Sequence, residues 1–298
     1  MDTIRSFIRR FDKTTFFFIL PAFVLYVGLI IVPSLSSVQL SFTNFDGINQ
    51  NYRYIGFDNY IEIFGSRRFR AALWNTLYLT IIVSIAQNVM ALILALTLDR
   101  VRWLKKTLRA IFYTPVLISG IVSGFIWITM FNWNFGIINT VLNNIGLGDY
   151  AVDWIGDPKN VLNSIGFTIA WKNVGFYMVI YLAGLQGVPK DCLESASIDG
   201  ANAWQRFRHI ILPLIAGSVT INFTLSLING LRIFDQIAVM TNGGPGFASE
   251  TIIFLIYRIA FGEGRQGFGT ALAVVLFLLI FILNAIQSRV LRSREVQL

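Results

Sequence analysis

Metal chemistry and covalent catalysis need side chains that this sequence holds only singly. Cys192 is the only cysteine and His209 the only histidine. No intrachain disulfide, Cys-rich zinc site or multi-histidine cage can be built from them. His209 has no evident nucleophile to pair with and reads as an interfacial polar residue. Gly262-Glu263-Gly264-Arg265-Gln266-Gly267 matches Gly-x-Gly-x-x-Gly, but it follows no strand and precedes an apolar run, so the match reads as accidental. There is no Gly-x-x-x-x-Gly-Lys-Ser/Thr phosphate loop, so ATP has no usual site. We assign no catalytic and no metal-binding residue, and the chain is not expected to be an enzyme.

Two other groups of residues have informative spacing. The first lies inside apolar runs, where polar side chains are costly and face either a cavity or another helix. Asn173 and Tyr177 are four apart, and Asn222, Ser226 and Asn229 are spaced four then three, so each set shares one helix face. Trp171 lies close behind the first set. Amide and hydroxyl groups of this kind either bind a hydroxyl-rich solute or hold helices together, and the spacing leaves both open. The second group is the run 188–213. Pro189 can open a short helix from about 190 to 198, Asp199-Gly200 stops it, and a second helix starts near Ala201 with Trp204, Phe207 and Ile211 on one side. Two short helices joined at a glycine make a knob that suits a groove in a partner.

The elements that must position these groups are membrane spans. The chain has 298 residues, 55% of them hydrophobic and 13% charged, with a mean hydropathy of +0.64. A soluble fold would have to expose large apolar patches at that composition. The segments 14–45, 71–98, 110–148, 210–231 and 266–288 contain no Asp, Glu, Lys or Arg, and 160–189 contains only Lys172 among them. Since roughly 20 apolar helical residues cross the hydrocarbon, helices are expected near 15–37, 74–97, 110–132, 163–185, 211–233 and 267–289. The fold class is therefore an all-α integral membrane protein of six transmembrane helices, read as a single domain over 1–298. The first apolar run is too long for a signal-peptide core and is read as an uncleaved span.

Lys and Arg total fifteen on the N-terminus, the loop 100–109, the loop near 186–210 and the C-terminus, against eight on the longer loops between. By the positive-inside rule both termini are cytoplasmic. Topology explains the net charge of +8 better than nucleic acid does. The outer loops are then 38–73, a small folded cap; 133–162, with an interfacial helix over 135–147; and 234–266, which opens on the turn Thr241-Asn242-Gly243-Gly244-Pro245-Gly246. The segment 251–261 is too short to span.

The loop 188–213 carries a family likeness. Glu194-Ser195-Ala196, Asp199-Gly200-Ala201, and Ile210 with Leu212-Pro213 resemble the EAA loop of permease subunits in binding-protein-dependent ABC importers, with Ser195 where that family more often has Ala. Asp58-Asn59-Tyr60, Asn75-Thr76, Pro115, Trp127, Gly136 and Asn139 extend the resemblance over most of the chain. Thr241-Asn242-Gly243-Gly244-Pro245 with Tyr257 and Ala260-Phe261 is similar to the carbohydrate-importing branch.

The resemblance implies a multi-pass permease subunit in a bacterial-type plasma (inner) membrane, forming half of the path for a sugar or oligosaccharide. It implies a second permease, two ATPase subunits that hold ATP and Mg, and an extracytoplasmic sugar-binding protein; no cofactor is expected on this chain, and no nucleic acid. Glu194, Ala196, Asp199, Gly200, Ala201, Phe207, Leu212 and Pro213 would form the coupling element, with Glu194 against the ATPase. Asn173, Tyr177, Asn222, Ser226 and Asn229 would line the substrate path. The rival reading is an ion-coupled secondary carrier, which would normally want a carboxylate within the spans; Asp99 and Asp235 stand at helix ends instead.

Overall fold

The computed structural model describes residues 13–49, 51–101 and 103–293. Arg5, Arg9, Arg10, Arg102 and Arg294, on which the orientation expectation partly rests, lie outside the described residues. The rest is helical, with turns and one isolated bridge between Thr43 and Tyr54. In chain order the helices are α1 (13–40), α2 (Asp58–Gly65), α3 (Arg67–Arg100), α4 (105–117), α5 (Gly120–Met130), α6 (Ile137–Asn144), α7 (Val161–Gln186), α8 (Lys190–Ile198), α9 (203–214), α10 (Ala216–Leu231), α11 (Asp235–Met240), α12 (252–262) and α13 (Gln266–Arg292).

Among the described residues, four helices are long and apolar enough to cross a membrane: Phe17–Leu40 within α1, then α3, α7 and α13. Two further helix pairs reach that length only if each bent pair is one span, which makes six. The expected span 110–132 falls on the first pair, α4 and α5, which meet at 97°. Pro115 sits in a tight turn at the end of α4, Ile118 is extended, and Ser119 restarts the helix by accepting from Val122 N at 3.2 Å. Proline removes one helical donor and strains the residue before it, so a break there is economical. The expected span 211–233 falls on the second pair, where α9 and α10 meet at 71°, two residues beyond Pro213. A charge-free run counts residues; it does not record the direction of the backbone.

The chain divides into two compact units, residues up to 63 with 256–274, and 64–255 with the remainder. In the first, the Asn59 side chain donates to the carbonyls of Ser41 and Thr43 at 2.8 and 2.9 Å. Phe42 packs on Phe57 and Tyr60 with ring centroids 5.3 and 5.4 Å apart. Arg265 donates twice to the Glu62 carboxylate at 2.7 Å and holds that carboxyl below its ordinary range. The expected cap over 38–73 is thus built in its first part from backbone carbonyls tied to one buried amide.

The second unit packs α3, α7 and α10 together. One apolar cluster gathers Leu79, Val83, Ile165, Ile169, Ile237 and Phe254; another gathers Ala91, Ala95, Tyr177, Met178, Tyr181 and Ile215. Since lipid tails are as apolar as leucine, such helices associate by close approach and shared hydrogen bonds. Gly230 permits one such approach: a Cβ there would lie 2.7 Å from Thr80 Cγ2 and 3.1 Å from Thr80 Cα. Gly230→Val is therefore expected to destabilise the packing of α10 on α3 by about 1–3 kcal/mol. A lower thermal midpoint of the detergent-solubilised chain would show it; an unchanged midpoint would mean that the helices separate without cost.

The segment after α5 contains α6, where helical spacing suggested an interfacial helix. Its Asn139 is buried, donates to Val152 O at 3.1 Å and accepts from Trp154 Nε1 at 2.8 Å. The Gly-Gly-Pro turn leads into a loop fastened to α3. Glu250, 1% exposed, takes a bidentate pair from Arg68 at 2.8 and 2.9 Å. Asn75 donates to the carbonyls of Phe247 and Glu250, and Ile252 N donates to Thr76 Oγ1 at 2.9 Å.

Candidate functional site: the 188–213 knob and the cavity between the helices

The knob is built by local rules. Pro189 is extended ahead of α8, with its missing N–H costing nothing at a helix start. At the far end, Gly200 has φ +79°, Ala201 N donates back to Ala196 O at 2.9 Å and Gly200 N to Ser197 O at 3.2 Å. This is the left-handed helix stop that glycine accepts without a Cβ penalty. α9 begins at Ala203, two residues later than the sequence suggested, because Asn202 and Gln205 close a reciprocal cap: Asn202 Oδ1 accepts from Gln205 N at 2.9 Å and Gln205 Oε1 from Asn202 N at 2.8 Å.

The two short helices are also tied side to side. Arg206 Nη1 donates to Ser197 Oγ, and Leu193, Glu194, Arg206 and Ile211 share a cavity of about 380 Å³ with Leu96 and Leu185, at the ends of α3 and α7. Trp204 and Phe207 rings lie 5.5 Å apart. Asp199 and Gly200 are exposed at the tip, Glu194 is exposed on α8, Ala196, Ala201 and Phe207 are half-buried, and Leu212 and Pro213 lead towards the bend into α10. Ile198 and Trp204 are 86% and 67% exposed. The chain thus holds a tied pair of helices whose outward face is partly apolar and is not covered by any of the described residues.

The second group of residues is only partly brought together. Asn173, Tyr177 and Asn229 line a cavity of about 170 Å³ between α3, α7 and α10, with Gln87, Arg232 and Asp235 around it. Asn229 Nδ2 donates to the Tyr177 hydroxyl at 3.5 Å, a long bond. Asn222 and Ser226 are fully buried and lie in helix-to-helix bonds instead: Asn222 Nδ2 donates to Tyr177 O at 3.0 Å, and Ser226 Oγ accepts from Asn88 Nδ2 at 3.1 Å. Tyr181 adds a bond to Asn88 Oδ1 at 2.9 Å. Trp171 packs on Trp127 with centroids 5.4 Å apart and does not line the cavity.

Gln87 and Asn88 on α3 are what the sequence reading passed over. Both stand in the charge-free run 71–98, so the rule that singled out Asn173 would have found them.

Residues 87–296 match the family described as the binding-protein-dependent transport system inner membrane component. The chain is 32% identical, over 94% of both chains, to a probable starch degradation products transport system permease protein of Thermoanaerobacterium thermosulfurigenes. It is 29% identical to a multiple sugar-binding transport system permease protein of Streptococcus mutans, over 99% of this chain and 100% of that one. Among solved structures it is similar to a chain of a bacterial ABC transporter involved in import of the acidic polysaccharide alginate, with a TM-score of 0.83, 25% identity, and coverage of 98% and 99%. With a helical fold, a pinned knob after α7 and a match over more than two thirds of its length, the chain belongs to the family of binding-protein-dependent transport system inner membrane components.

Proposed function

We propose that this chain is the permease subunit of an ATP-driven sugar or oligosaccharide importer, forming half of the translocation path. The observation that carries the proposal is the knob: α8 and the start of α9, tied by Arg206–Ser197 and two backbone caps, present Ile198 and Trp204 to a partner. That partner is a cytoplasmic ATPase. Closure of the ATPase on ATP moves the knob as a body, and α7 and α10 follow through their junctions with it. Two sites then bias one two-state element, as coupling requires. Glu194 contacts the ATPase, Gly200 sets the angle between the helices, and Pro213 with the bend after it passes the movement on. Both termini face the cytoplasm, and a second permease and an extracytoplasmic binding protein complete the assembly. ATP and Mg belong to the ATPase.

The sugar assignment draws on the relatives and on the amide and phenol groups at the cavity. Asn173, Tyr177 and Asn229 contact the solute; Asn222 and Ser226 hold the frame that places them. Alanine at Asn173 or Asn229 is expected to change the substrate dependence of uptake, with a loss of about tenfold for a lost hydrogen bond. Unchanged dependence in both would remove the path assignment.

Mild detergent extraction from the native membrane, followed by mass spectrometry of what co-purifies, tests the whole reading. Recovery of a second permease and an ATPase is the expected result. Recovery of the chain alone, still able to accumulate solute in ATP-free vesicles, would replace the importer with an ion-coupled carrier.

A further inference from the structure

Gln87 has no place in the reading above, and its position is unusual. It stands on α3, is 2% exposed, lines the same cavity as Asn173, Tyr177 and Asn229, and its Oε1 has no hydrogen-bond partner among the described residues. A buried acceptor without a donor costs about 1–3 kcal/mol, so such an atom is kept where something donates to it. Its surroundings point to what that is. The Tyr177 hydroxyl lies beside the Gln87 amide and accepts from Asn229 Nδ2 at 3.5 Å. One unfilled acceptor thus faces a small polar space. A hydroxyl group carries the donor that would fill it. The charged members of the cavity wall, Arg232 and Asp235, are exposed and of opposite sign, and its buried polar side chains are amides and a phenol.

We propose that Gln87 is a specificity-determining residue of the path: its carbonyl accepts a hydroxyl hydrogen from an uncharged glycosyl unit. The proposal rests on the sugar-importer reading and narrows it to neutral substrates. A site made to bond a hydroxyl discriminates strongly against a ligand without it, because its own polar groups are then left bare.

The test uses the complete transporter with its binding protein in proteoliposomes, supplied with radiolabelled maltose, trehalose, cellobiose and sucrose, and with an alginate trisaccharide as the charged comparator. Wild type is expected to accumulate at least one neutral disaccharide. Gln87→Met keeps the volume but removes the acceptor, and should lower that rate about tenfold at saturating binding protein. Gln87→Glu keeps an acceptor in place and should retain more of the rate than Gln87→Met. A packing role predicts the reverse order, since a core position tolerates Met better than a carboxylate, and that order would overturn the proposal. So would equal rates in wild type and Gln87→Met, which would mean that ordered water serves Oε1. Accumulation of the alginate trisaccharide but of no neutral disaccharide would overturn the Gln87 inference and leave the importer standing. No accumulation of any probe would overturn both.

Discussion

Gly200→Pro is expected to abolish uptake while leaving the chain in the membrane. Gly200 has φ +79°, a region closed to proline, whose ring holds φ near −65°. The substitution also removes the N–H that donates to Ser197 O at 3.2 Å. α8 and α9 would then meet at a different angle, and the exposed face with Ile198 and Trp204 would no longer match its partner. Nothing lies within 4 Å of the position where a Cβ on Gly200 would stand. Gly200→Ala therefore meets only the backbone penalty of about 1–2 kcal/mol, and should retain partial uptake. Glu194→Lys, which reverses an exposed charge on α8 without touching the backbone, is expected to fail as Gly200→Pro does. Membrane level, ATPase co-purification and uptake are the three measurements. Normal uptake in both Gly200→Pro and Glu194→Lys would remove the coupling role from the knob.

The largest expected effect on stability belongs to Glu250. Its carboxylate is 1% exposed and is met by both arms of Arg68, whose guanidinium also lies 4.8 Å from the centre of the Phe247 ring. Glu250→Ala leaves a partly buried cation opposite a void and is expected to cost about 3–5 kcal/mol. The loop after the Gly-Gly-Pro turn should then become sensitive to protease, and the thermal midpoint of the solubilised chain should fall. Replacing both partners, Arg68→Met with Glu250→Leu, should recover part of the loss, because no charge is then stranded. If the single and double variants melt together with wild type, the pair does not hold the loop. If the double variant is the worse, the loss lies in packing.

The fold class was legible because its cause is one-dimensional. A bilayer admits a helix wherever about 20 residues lack charge, and that can be counted along the chain. α3 and α13 fall where the charge-free segments lie, α7 where Lys172 is the only charge, and α6 where helical spacing indicated it. The knob was legible for a related reason: Pro189 and Gly200 act on their own turns of backbone, within a few residues of themselves, although the Asn202 cap that moves the start of α9 to Ala203 was not read. What the count missed were the bends at 118 and 215, where Pro115 and Pro213 change the direction of a run without changing its polarity.

The polar residues inside the spans show the other side. Asn173, Asn222, Ser226 and Asn229 are the same in kind to anyone reading the sequence, since each is a hydrogen-bonding group at helical spacing in an apolar run. The structure separates them by what stands opposite. Asn173 and Asn229 face a cavity, while Asn222 meets Tyr177 O and Ser226 meets Asn88. Glu250 and Arg68 are 182 residues apart, and no local pattern joins them. Helix positions, helix stops and the charge balance of the loops are thus set by neighbours in the chain. Whether a buried polar group serves solute or frame depends on contacts between α3, α7 and α10, whose partners are far apart in sequence, and only packing decides them.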